Sequence, residues 1–192
     1  MQVGELVEPS RGSRRLCAVL AGGPLGLLTE VCRPGGGGGS FGFGRLYIGS
    51  APDGEAAVAP VGVDEVRIVH DLVAVVRRGL GAGGFGERAG ERPALLAFNV
   101  GIVRVTGNGF GGAGLARTWA LTGHPAVRRR LDRLAADRPA ADRTAGDRPA
   151  GAAPLAVVVA TPLYADLCDE GLDRRGWREI RAAGAWMNWG TR

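Results

Sequence analysis

The stretch Leu95-Leu-Ala-Phe-Asn-Val-Gly-Ile-Val-Arg-Val105, followed by Thr106-Gly-Asn-Gly-Phe-Gly-Gly112 and Ala113-Gly-Leu-Ala-Arg-Thr-Trp-Ala-Leu121, decides the fold. Its first part is apolar on nearly every residue, as a strand is when both faces of its sheet are covered. The glycines that follow permit positive φ and close backbone approach. A helix expected over 112–122 would then point its first N–H groups at whatever lies at the turn. The strand–glycine–helix junction is therefore the leading candidate for a ligand site.

Working upstream, residues 63–80 read as the clearest helix. Val66, Val69, Leu72, Val73, Val76 and Leu80 recur at three- and four-residue spacing, opposite Arg67, Asp71, Arg77 and Arg78. Asp64 and Glu65 suit its first turn and Gly81 its end. Two apolar runs, 45–49 and 55–60, flank Ser50-Ala-Pro-Asp-Gly54, a turn signal that predicts a hairpin. Residues 16–21 predict a short buried strand, residues 34–44 a flexible glycine-rich linker, and the first 15 a loose tail.

Downstream, His124-Pro125 opens a second helical stretch with Val127, Leu131 and Leu134 inward. It runs into Asp-Arg pairs at 132–133, 137–138, 142–143 and 147–148. That spacing matches neither helical nor strand periodicity, so no single face can be buried. With Pro139, Gly146 and Pro149 inside it, the segment 137–153 is expected to be a disordered insert. Leu155–Ala160 predicts a buried strand, and Thr161-Pro162 a cap and first turn of a helix ending at Gly171. A last strand is expected at Ala183–Trp189. The order implies an α/β (α+β) sandwich whose mixed, largely antiparallel sheet carries helices mainly on one face. Residues 1–44 are expected to form an N-terminal strand and flexible segment, and 45–192 the main domain.

Composition narrows the chemistry. The chain has 192 residues, a net charge of +5 and 34 glycines, which suits one domain with a modest core and marginal stability. It contains no lysine, so a P-loop lysine, a Schiff base and a Ser–Lys pair are excluded. Its Arg, Ala, Gly and Pro bias points to a GC-rich genome. Cys17, Cys32 and Cys168 lack metal-ligand spacing and read as buried or incidental thiols. His70 and His124 have no acidic or thiol partner at ligand spacing and read as solvated. Asn99, inside the apolar strand, reads as a hydrogen-bonding group within the sheet. Trp119, Trp177, Trp186 and Trp189 read as core or interface anchors. The pairs Arg14-Arg15, Arg77-Arg78 and Arg174-Arg175 and the run Arg128-Arg129-Arg130 read as solvated faces, with weak polyanion binding the alternative. The opening residues carry Gln2, Glu5 and Glu8 with no compact apolar core, and no run reaches membrane-spanning length. A cytoplasmic protein without membrane contact is expected.

Several of these pieces together resemble the nucleotide (adenylate/guanylate) cyclase homology domain, in particular small actinobacterial cyclase-like proteins. They are Asp53-Gly54 in a hairpin, the helix at 63–80, the strand ending Val100-Gly-Ile-Val-Arg104, and Phe110-Gly-Gly-Ala-Gly-Leu-Ala-Arg-Thr-Trp-Ala-Leu121. Pro125-Ala-Val-Arg128 and Leu155-Ala-Val-Val-Val-Ala-Thr-Pro-Leu-Tyr164 continue the likeness. The resemblance spans about residues 45–189 and implies a ferredoxin-like sheet. In that family two carboxylates, one from the first strand and one from the hairpin, hold two metal ions that activate the ribose 3′-hydroxyl and clamp the triphosphate. An Asn and an Arg one helical turn apart, after the glycine turn, orient the ribose and stabilise the transition state. Asp53 matches the hairpin carboxylate. The first strand ends Leu20-Ala-Gly-Gly23 and offers none, while the Asn and Arg positions read Leu115 and Trp119.

The expected function is accordingly a non-catalytic cyclase-like domain, used for interaction or nucleotide sensing in bacterial signalling or defence. An active purine-nucleotide cyclase completed by a partner chain is the alternative, and an arginine-rich nucleic-acid binder the weaker one. No catalytic residue, metal or cofactor is assigned. Asp53, Gly111, Gly112, Ala113 and Arg117 are the ligand-binding candidates, with a nucleotide as the ligand. A homodimer or a heterodimer with a related domain is the expected assembly, and nucleic acid is not the expected partner.

Overall fold

A computed structural model describes residues 12–33, 46–51, 53–81, 93–107, 109–136 and 155–189. Most of the expected tail, the glycine-rich linker and the insert at 137–153 lie outside these residues. The described elements are β1 (Ser13–Ala21), α1 (Leu27–Val31), β2 (Tyr47–Ala51), β3 (Gly54–Val58), α2 (Glu65–Gly81), β4 (Ala94–Thr106), β5 (Gly109–Gly111), α3 (Ala113–Gly123), α4 (Pro125–Ala136), β6 (Leu155–Ala160), α5 (Thr161–Asp169), β7 (Trp177–Ile180) and β8 (Ala185–Trp189).

The strands form one open, mixed sheet in the order β2-β3-β1-β4-β6-β8-β7, with β5 paired to the far end of β4. Only β4 and β6 run parallel, and α3 and α4 make the crossover between them. The other pairings are antiparallel. This is the mixed, largely antiparallel α+β sandwich that the order of elements predicts. β1 lies between β3 and β4, so the strand at 13–21 shares a sheet with everything after residue 45. The boundary at residue 44 does not divide the sheet. Ser13, Arg14 and Arg15 belong to β1 rather than to a tail.

Alternation along the strands builds two faces. Leu16, Leu20, Leu96, Phe98, Val157 and Val159 face α1, α2 and α5, which contribute Leu27, Leu72, Val76 and Leu163. Leu95, Ala97, Val158 and Met187 face the other way, under Leu121 of α3 and Val127 and Leu131 of α4. A smaller group, Cys17, Val58 and Val103, packs there against Phe110 and Leu115. Three of the described helices thus cover one face and two the other.

The helix ends follow local chemistry with one exception. The Asp64 carboxylate accepts from the Arg67 N–H at 2.9 Å and caps α2. At the end of α5, Gly171 (φ +90°) closes a Schellman motif: its N–H donates to the Cys168 carbonyl, and the Leu172 N–H to the Leu167 carbonyl. Thr161 is not the cap expected of it. Ala160 holds that position, Thr161 is already helical, and its N–H donates to the Gly184 carbonyl at 2.9 Å. A neighbouring loop does the work of a side chain. Three elements had no sequence signal: α1, β5 and β7 are too short to show a period.

Candidate functional site

The glycine turn is built by β4, β5 and α3. Gly112, with φ +137°, precedes α3, and a Cβ there would stand 2.7 Å from the Ile102 carbonyl oxygen. Two residues further in, at Gly114, α3 meets β4 backbone to backbone. A Cβ on Gly101 would lie 2.5 Å from the Gly114 Cα, and one on Gly114 would lie 2.7 Å from the Gly101 carbonyl carbon. Thr118, fully buried on the same side, donates its hydroxyl to the Gly114 carbonyl at 2.9 Å. The glycines here serve helix-on-sheet approach first.

Leu115 and Trp119 lie one turn apart on α3, and both line a cleft of about 550 Å³. Its other walls are β2, from Tyr47 to Ala51, and Phe110, whose ring closes over Gly49. Trp119 is also a wall of a second cleft of about 800 Å³. There it meets Ala21 and Gly22 at the end of β1, Asp53 at the hairpin turn, Pro93, and Arg128 and Asp132 of α4. The fold therefore brings Asp53, Gly22 and Trp119 to one cleft, although they are far apart in the chain. It does not bring Gly111, Gly112, Ala113 or Arg117 into either cleft. Arg117 is exposed on another side of α3.

This residue set does not fit a two-metal centre. Asp53 is the carboxylate at the turn and the β1 end contributes only Ala21 and Gly22; the other carboxylate lining the cleft, Asp132, stands with Arg128 on α4 and not at the strand position. Among the described residues no group of three or more His, Cys, Asp or Glu side chains comes together. Leu115 has no hydrogen-bonding side chain, and Trp119 offers a neutral indole where a cation would be needed.

Sequence reasoning passed over Glu55. It is 1 % exposed, on β3, two residues after Asp53. One carboxylate oxygen accepts the Leu28 N–H at 2.8 Å; the other accepts the Thr29 N–H at 3.2 Å and the Thr29 hydroxyl at 2.8 Å. Glu55 thus caps α1, whose preceding Gly26 has no side chain to do so. The signal was a single acid inside the apolar run Gly54–Val58. Its carboxylate occupies the first-turn amides of the helix that follows β1, which are thereby closed to any outside anion. Burial, with the Glu55 charge second, pushes the Cys32 thiol up to about 11.

Other singled-out residues find plain structural roles. Cys17 stands opposite Asn99 in the β1–β4 ladder, and burial pushes its thiol up to about 11. His124 is no merely solvated residue: its Nδ1 accepts the Ala126 N–H at 3.2 Å at the start of α4. Arg77 departs from the solvated-face reading, because burial lowers its pKa and it lines a cleft of about 500 Å³ with His70, Trp177 and Trp189. Tyr164 stacks on Trp186 with ring centres 4.3 Å apart and tilts against Trp177 at 5.3 Å, so these two tryptophans are the core anchors expected of them.

No described helix is long and apolar enough to cross a membrane. No protein-family model, curated protein or solved structure matches the chain.

Proposed function

We propose that the chain is a non-catalytic nucleotide-cyclase-like domain, acting as an interaction or nucleotide-sensing module in bacterial signalling or defence. One observation carries the reading. Trp119 fills the place where the likeness calls for a cation, in the same cleft as Asp53 and the carboxylate-free end of β1. In the likeness, two-metal cyclisation needs a carboxylate from the first strand as well as one from the hairpin, and losing a single electrostatic stabiliser typically costs on the order of 10²–10³ in rate. Any nucleotide affinity would come from the exposed amides at Gly112 and Ala113 and from Arg117.

One feature favours the alternative of a cyclase completed by a partner. β2 is an edge strand of the sheet and lines the cleft that holds Leu115 and Trp119, so a second domain docking there could add side chains to it. Incubation with ATP or GTP and manganese, with cyclic product sought by mass spectrometry, separates the two. The chain alone should give none. Product that disappears in Asp53→Ala would overturn the proposal and establish an enzyme.

A further inference from the structure

We propose a second site on the opposite end of the sheet: a groove between α4 and β7 that binds the phosphates of an extended polyanionic chain. Arg129, Arg130 and Arg133 of α4 and Arg178 of β7 line one hollow of about 380 Å³, floored by Ala126 and Ile180. The α4 arginines include the longest basic run in the sequence, Arg128-Arg129-Arg130, with Arg133 following. The fold sets Arg178, more than 40 residues away, across the hollow from them.

Charge balance sets this cluster apart from the carboxylate-paired arginines, and Arg178 donates to a backbone carbonyl, that of Trp177, at 3.0 Å. Arg14, Arg33 and Arg67 each face a carboxylate, on Glu65, Glu30 and Asp71. Among the described residues none of the four groove arginines forms an ion pair. Among the described residues the single acid lining the hollow, Glu179, is held by Arg181 at 3.0 Å. Asp132, the single acid of α4, lines the cleft on the other side of the helix. Residues 125–136 and 177–183 together carry a net +4 of the chain's +5. β7 is also an edge strand, and charges on an edge discourage strand pairing. That accounts for Arg178 and Glu179, but not for three guanidiniums converging from a separate helix.

The ligand chemistry follows from the lining. Guanidinium forks match phosphate oxygens, and several around one hollow favour a ligand with successive negative charges. Among the described residues no aromatic ring lines the groove, so none of them would stack bases or read sequence. The volume is at the small end of the roughly 300–1,000 Å³ usual for ligand sites. It admits a few phosphates of an open chain and not a folded partner. Single-stranded nucleic acid and inorganic polyphosphate share this chemistry.

The test is fluorescence anisotropy of the full chain with a labelled oligo-dT strand between 50 and 300 mM salt, with inorganic polyphosphate as competitor. At about 0.7 per phosphate neutralised on a single strand, four arginines give a log–log slope near −3. Arg130→Gln with Arg178→Gln should roughly halve that slope, while Arg33→Gln with Arg67→Gln, of equal charge loss, leaves it unchanged. If the first double variant loses the wild-type melting curve, Arg129→Gln with Arg133→Gln carries the same comparison from exposed positions. Polyphosphate should compete; tighter binding of polyphosphate than of oligo-dT assigns the groove to the free chain, and the reverse to nucleic acid. No binding at 50 mM salt, failure of polyphosphate to compete, or an equal loss in the remote variant would overturn the proposal.

Discussion

Two regions of the sheet are built by opposite means, the face under α1, α2 and α5 and the stretch of the other face under α3. Under α1, α2 and α5 the contacts are made by large side chains, with Leu16, Leu20, Phe98, Leu72 and Leu163 all fully or almost fully buried. Under α3 they are made by the lack of side chains: Gly101 meets Gly114, and the side chains of Thr118 and Cys17 on this side are fully buried. The first face gains stability from apolar area removed from water. The second gains it from close backbone approach, where dispersion acts at short range and no rotamer entropy is lost. A glycine-rich helix start therefore has two physical uses, and here packing claims the residues that also define the candidate turn.

The sharpest way to break this contrast is truncation on the large-residue face. Phe98→Ala removes the central fully buried ring and should cost about 3–5 kcal/mol. At about 2–4 °C per kcal/mol for a chain of this size, the melting midpoint should fall by roughly 6–20 °C. A loss of only a degree or two would mean that this face is not the main core.

The next largest effect is expected at the polar exception on that face. Glu55→Ala would leave the Leu28 and Thr29 N–H groups and the Thr29 hydroxyl without their acceptor. A stranded buried donor such as the Leu28 N–H costs about 1–3 kcal/mol, and the groups of the exposed Thr29, which water can reach, cost less, so a total of about 2–4 kcal/mol is expected. Glu55→Gln keeps an acceptor oxygen and should cost less. Urea midpoints with unchanged slopes measure this. Equal loss in the two variants would show that the α1 cap depends on the charge rather than the hydrogen bonds.

Legibility followed the same division. The helix expected at 63–80 appears as Glu65–Gly81, and the strand expected at 95–105 as Ala94–Thr106, because long elements with large side chains display their period. The hairpin around Asp53 was legible from Pro-Asp-Gly turn chemistry, and Asp53 does share a cleft with Trp119. The pairing of Gly101 with Gly114 was not legible, since a residue without a side chain has no period of its own. Glu55 was hidden because its partners are backbone groups of a five-residue helix that no periodicity announces. The arginine groove was hidden because one of its walls comes from β7, a four-residue strand.

The small-residue face can be broken by addition rather than removal. Gly101→Ala would place a methyl 2.5 Å from the Gly114 Cα, and the obstructing atoms are backbone, so α3 must lift from β4. Overpacking of this kind costs about 1–3 kcal/mol. Gly114→Ala should act through the same contact, so the double variant should cost clearly less than the sum of the two singles. Strict additivity in thermal unfolding would show that the two glycines do not share one close approach.

Alkaline titration gives the smallest expected effect and samples both faces, for Cys17 lies on the small-residue side and Cys32 packs against the large-residue core. Burial pushes both thiols up to about 11, and burial likewise raises the pKa of Tyr164, with Cys168 as the second cause. The sign is the same for all three. Above pH ~8.5 an unfolded thiol begins to lose its proton while the folded one keeps it, so the unfolded state binds fewer protons and rising pH favours it. The melting midpoint should therefore be flat below about pH 8.5 and decline as pH rises toward the folded thiol value of about 11. Cys17→Ala and Cys32→Ala should each remove part of that decline, measured against their own midpoints at pH 7. Thiol chemistry gives an independent reading, because at pH 8 the thiolate of either residue is on the order of a hundredfold scarcer than in an open chain. Iodoacetamide should accordingly modify Cys17 and Cys32 slowly in the native protein and quickly in urea. A midpoint that stays level to pH 11, with both cysteines alkylated at unfolded-chain rates, would mean that neither face seals its thiol from water.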